Sequence, residues 1–103
     1  MAVVTRYHIL VYGSEEGYGT NRAQIALYGG DGKVAAYVRF NDPGMLFESD
    51  SNASGIIRMH LPSTMFQSVL DILRNEKPIH IYFAQNRGFF GTASTEPVGE
   101  GDA

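Results

Sequence analysis

Arg22, Arg39, Arg58, Tyr12, Tyr28, Tyr37, Tyr82, His8, His60 and His80 fall at alternate positions of the stretches that read as β-strands, and Arg6 and Lys33 share their parity. No Asp or Glu occupies that parity. Guanidinium groups fork onto carboxylates and phosphates, phenol rings stack on bases or bury against a protein partner, and imidazoles titrate near neutrality. This set therefore points to binding, with an anion or a protein surface as its object.

Bond-breaking chemistry finds less support. The three histidines come from separate strands, with no His-x-His or His-x-x-x-His pair, so no metal site is expected. Residues 13–17, with Ser14 between Gly13 and Glu15, lack the Gly-x-Ser-x-Gly spacing and the strand-to-helix setting of a nucleophile elbow. Gly17 and Gly19 read as a turn, because no helix follows to aim its N-terminus at a phosphate. Glu15 and Glu16, adjacent in a glycine-rich loop, read as solvated carboxylates. The Asn52-Ala53-Ser54 sequon matters only in a secreted chain. The chain has no cysteine, hence no disulfide, thiolate nucleophile or thiolate zinc site. No catalytic residue, metal or cofactor is expected.

Strands must position the binding set. Alternation marks residues 7–12, then 22–28 and 33–40 as a hairpin around Gly29, Gly30, Asp31 and Gly32. A turn centred on Gly30 and Asp31 puts Tyr28 opposite Lys33, Gln24 opposite Tyr37 and Arg22 opposite Arg39, whereas a glycine bulge would shift this register. Residues 41–55 read as a long loop whose Met45, Leu46 and Phe47 tuck over an open edge of the core, or else anchor a partner. Residues 56–61 form a fourth strand. A helix is expected over 64–75, with Thr64 and Gln67 as a capping box and Pro78 enforcing its end. Its stripe of Met65, Phe66, Val69, Leu70, Ile72 and Leu73 supplies on the order of 10 kcal/mol on burial. Residues 79–84 and 89–95 complete the strands.

The expected fold is α+β: a mostly antiparallel sheet of about six strands (β-β-β-β-α-β-β) with the helix on one face. It forms a single domain over residues 1–96, with a loose C-terminal tail at 97–103. The length of 103 residues suits one core, and twelve glycines indicate many turns. No stretch approaches the ~20 apolar residues of a membrane span, and the start lacks a signal peptide, so a cytoplasmic setting is expected. Net charge of −3 disfavours a general polyanion binder.

With the helix over the aliphatic side, the Tyr/Arg/His side is left open, and it is too apolar to stay bare on a monomer. The first expectation is a non-catalytic binding and assembly domain that self-associates as a homodimer and presents this face to a partner. The second is a single-stranded nucleic-acid (RNA or ssDNA) binding domain, with Tyr28, Tyr37 and Tyr82 as platform and Arg22 and Arg39 as clamp; a small anionic ligand is equally compatible. The third is a small-ligand enzyme using the same face or the 41–55 loop. The plainest alternative has the long loop wrap the sheet, with Asp42, Glu48 or Asp50 pairing to its arginines.

Overall fold

The computed structural model describes residues 2–92, 95 and 98. Its elements are β1 (Ala2–Val11), β2 (Ala23–Gly29), β3 (Val34–Asn41), β4 (Ser51–Ala53), β5 (Ile56–Pro62), a 3-10 turn (Ser63–Met65), α1 (Phe66–Asn75), β6 (Ile79–Ala84) and β7 (Arg87–Thr92). The strands form one sheet in the order β4-β5-β3-β2-β1-β6-β7, antiparallel except where β3 and β5 run parallel. The α+β class and the mostly antiparallel sheet agree with the sequence. Among the described residues the strand count is seven rather than about six.

The added strand is β4, which lies inside the expected long loop. Ser51, Asn52 and Ala53 pair with Arg58, Ile57 and Ile56, and the intervening Ser54 and Gly55 adopt positive φ. A short polar strand carries no alternation signal; its pairing makes it a strand. Strand β1 also starts earlier than residue 7. Its first residues pair with β6, and a bulge between Val4 and Arg6 breaks the pattern that would have revealed them.

Bulging also changes the β2–β3 hairpin. Tyr28 faces Val34, Gln24 faces Arg39 and Ala26 faces Tyr37, so the expected opposition of Arg22 and Arg39 does not occur. From Leu27 to Ala23 the register slips by two residues, and a slip of two leaves every side chain on its expected face while replacing its partner. At β6–β7 the turn residues are Gln85 and Asn86, both left-handed, so Arg87 and Gly88 belong to β7, which is described as far as Thr92; residues 93 and 94 of the expected strand lie outside the described residues.

The helix begins later than residue 64. Met65 is its N-cap, no side chain caps it, and Gln67 Nε2 donates instead to Asp71 Oδ1 at 2.9 Å. The capping box is thus absent. Apart from Met65, which is exposed, the apolar stripe nevertheless packs as expected, with Val69 in the core and Phe66 edge-on to the fully buried Phe40 at 5.1 Å between ring centroids. Ile25, Leu27, Val38, Ile57 and Ile81 complete the inner face.

The two ends of the sheet meet. Asp50, just before β4, accepts the His60 amide of β5 at 2.8 Å and the Gly88 amide of β7 at 2.9 Å. A Cβ on Gly88 would lie 3.1 Å from Met59 Cβ. The sheet is therefore curled into an incomplete barrel around the core, with α1 on its concave side. Among the described residues no helix is long and apolar enough to cross a membrane. The expected tail, 97–103, lies outside the described residues apart from Val98.

Candidate functional site

The convex side of β1, β2, β3 and β5 carries a continuous patch, built row by row from the pairing. Leu10, Gln24, Arg39 and His60 form one row, and His8, Ala26, Tyr37 and Arg58 the next. Arg6 and Tyr28 close the patch. The Arg39 and Arg58 guanidinium carbons lie 5.4 and 5.9 Å from the Tyr37 ring centroid, and that of Arg6 lies 5.6 Å from Tyr28. Gln24 Oε1 accepts from Arg39 Nε at 2.9 Å, which orients the guanidinium and leaves its terminal nitrogens available. Among the described residues Arg6, Arg39 and Arg58 form no ion pair. A cavity of about 310 Å³ is lined by Arg6, Tyr7, His8 and Tyr28.

Arg22 is not part of this patch. Its Nε donates to Asp42 Oδ2 at 2.6 Å, and its terminal nitrogens donate to the carbonyls of Tyr12, Ser14 and Glu15. The guanidinium is consumed in fastening the 12–22 loop to the start of the 42–50 segment. The Arg22 hydrogen bond, with a smaller share from Ser63, holds the Asp42 carboxyl below its ordinary pKa. Tyr12 lies beyond the end of β1, with its ring against Tyr18 at 5.3 Å. Lys33 sits in the hairpin turn, outside β3. The loop-acid alternative is thus realised for Arg22 and Asp42, while Glu48 and Asp50 meet a histidine instead.

That histidine is His60, which is buried. Its Nδ1 is 3.5 Å from Asp50 Oδ1 and its Nε2 3.9 Å from Glu48 Oε1. It is therefore covered by the 42–50 segment rather than offered to a partner. His80 and Tyr82 lie on β6, beyond the point where the sheet curls away. Tyr82 stacks on Phe89 of β7 at 4.8 Å, and His80 Nδ1 is buried. The structure thus divides the predicted residues. Arg39, Arg58, Tyr37, Tyr28 and His8 come together with Arg6; Tyr82 and His80 form a separate group; Arg22, Tyr12 and His60 serve the loops.

Sequence reasoning missed Gln24 as the residue that orients Arg39, because the predicted register gave it a different neighbour. The 41–55 loop also differs from expectation. Met45 tucks in, its Sδ accepting the Asp42 amide, but Leu46 and Phe47 remain 65% and 52% exposed. Asn41 Nδ2 ties this segment down by donating to the Thr20 and Leu46 carbonyls. Between the loops a cavity of about 550 Å³ is lined by Glu15, Glu16, Thr20 and residues 43–46. Among the described residues no group of three or more His, Cys, Asp or Glu is arranged to hold a metal ion. Neither protein-family models, nor curated proteins, nor solved structures match this chain.

Proposed function

We propose that this chain is a non-catalytic binding and assembly domain that self-associates and presents the Arg6, Arg39 and Arg58 face to an anionic partner. The observation that carries the reading is the packing of two guanidinium groups around Tyr37 with no carboxylate partner among the described residues. Like charges this close raise each other's cost, and an anion between them removes it. The ring and Gln24 hold the guanidiniums ordered before any partner arrives, so less side-chain entropy is lost on binding.

Single-stranded nucleic acid is the polymeric case of such a partner. The Tyr37 ring is already engaged by guanidinium groups, which favours contact with phosphates or carboxylates over base stacking at that position. The net charge of −3 adds a long-range penalty for a long polyanion.

The test is a titration of the full chain with a labelled single-stranded oligonucleotide and, separately, a labelled acidic peptide, at two salt concentrations. Binding to at least one probe should weaken with salt, and Arg39→Gln or Arg58→Gln should each weaken it about tenfold. Failure of both probes to bind at low salt, or binding indifferent to both substitutions, overturns the reading.

A further inference from the structure

Strand β1 has a partner along only part of one edge. On one side β2 pairs with it as far as Val11; on the other, β6 pairs only with Ala2, Val3 and Val4. Residues 6–11 are regular in register, with the bulge lying before them. Among the described residues no strand occupies their second edge. The direction of the backbone groups follows from one bond: Tyr12 N–H donates to the Arg22 carbonyl at 2.8 Å, towards β2. By the two-residue alternation of a strand, Leu10 and His8 also turn their N–H and C=O groups to β2. Those of Tyr7, Ile9 and Val11 turn to the open edge.

Natural edges are blunted by proline, lysine, inward charges or a bulge within the strand, and residues 7–11 contain none of these. Apart from Ile9, which packs against the core, their side chains are exposed instead on both faces: Val11 is 64% exposed, Leu10 43% and Tyr7 37%. We propose that this edge pairs with the same edge of a second copy, antiparallel, about a two-fold axis at Ile9. This deepens the assembly half of the function proposed above and rests on it.

The register is selected by the chain itself. Only an axis at an odd-numbered residue brings outward N–H and C=O groups face to face. An axis at Tyr7 runs the pairing into the bulge, and one at Val11 runs it into Gly13. With the axis at Ile9, Tyr7 meets Val11 of the second copy, His8 meets Leu10, and Arg6 meets Tyr12, so no cation opposes a cation. Three closely spaced pairs would give about six backbone hydrogen bonds. A two-fold axis makes the contact isologous and closed, which ends growth at a dimer. The convex faces then join across the axis, placing two sets of Arg6, Arg39 and Arg58 on one continuous surface.

The test combines light scattering on a sizing column with amide hydrogen exchange of the full chain. The wild type should elute at twice 11.3 kDa. Tyr7→Lys combined with Val11→Lys sets like charges opposite each other and should give a folded monomer, whereas Tyr7→Lys combined with Val11→Glu should restore the dimer. Amides of Tyr7, Ile9 and Val11 should be protected in the wild type and exchange at least tenfold faster in the double-lysine variant. His8 and Leu10 should stay protected in both, which also shows that the variant is folded. A monomeric wild type, a double-lysine variant that remains a dimer, or equal exchange at Ile9 in both proteins overturns the pairing. Should the wild type be monomeric while Arg39→Gln still weakens probe binding, the edge proposal fails and the face reading stands.

Discussion

Asp50 Oδ2 accepts the backbone amide of Gly88 at 2.9 Å, across 38 residues of sequence and between opposite ends of the strand order. Through its other oxygen the same carboxylate holds the His60 amide of β5. A single side chain thus substitutes for the strand pairing that would otherwise be needed to bring β7 against β5. The curl that this closure fixes separates the Arg39–Tyr37–Arg58 patch from Tyr82 and His80.

Removing that carboxylate should open the seam. Asp50→Ala leaves two backbone donors without their charged acceptor, and each such bond contributes about 1.5–3 kcal/mol. The expected loss in urea unfolding is about 3–6 kcal/mol, accompanied by faster exchange of the Gly88 amide. Asp50→Asn should recover only part of this, since an amide side chain has one acceptor oxygen in place of two. A variant as stable as the wild type would show that the seam is held by Met59 and its neighbours alone.

Gly88 is itself required at the seam. An added Cβ would meet Met59 Cβ at 3.1 Å and its Cγ and Sδ at 3.2 Å. The long side chain can swing its sulfur away, but its Cβ is fixed to the strand. Gly88→Ala should therefore cost about 1–3 kcal/mol as overpacking. Met59→Ala in the same chain should relieve only the part due to Cγ and Sδ, a non-additivity that a double-mutant cycle measures.

Much of this architecture was legible beforehand, and the failures have specific causes. Ile25, Leu27 and Val38 share the aliphatic parity and form the core, and Tyr28, Tyr37, Arg39 and Arg58 lie on the side opposite them, as alternation required. The pairing partners were not, because two bulges shift register without leaving a compositional trace. Arg22 shared the parity of Arg39, yet parity says nothing of where a strand ends; one position before β2, its side chain turns into the loops. His60 shared it too, and was buried by residues 48–50, which are remote from it in sequence. Closure of the sheet depends on one aspartate in a polar loop, a signal too small to read without coordinates.

The contrast between Arg22 and Arg39 is testable in one pair of variants. Arg22→Gln removes the bonds to Asp42 and to three loop carbonyls. It should lower the thermal midpoint and raise exchange in the 12–22 loop, while affinity for an anionic probe stays within about twofold at temperatures where the variant is folded. Arg39→Gln loses only the Gln24 bond and the ring contact within the protein, so its thermal midpoint should move little as probe affinity falls about tenfold. Equal effects of the two substitutions on affinity would place Arg22 in the proposed face after all.

Acid should release the same loop fastening, with a sign set by Asp42. Its hydrogen bond from Arg22 stabilises the carboxylate, so the native pKa lies below the ordinary value of 3.8. Between the two values the unfolded chain binds the proton more readily than the native one, and stability falls as pH falls. The contribution is complete above the ordinary value and is lost as pH drops through the native one. In urea unfolding from pH 6 to pH 2, Asp42→Asn should start less stable than the wild type by a constant margin. That margin should close below about pH 4, where the wild-type carboxylate begins to protonate. Were it unchanged at pH 2, the carboxylate charge would have no part in holding the loop.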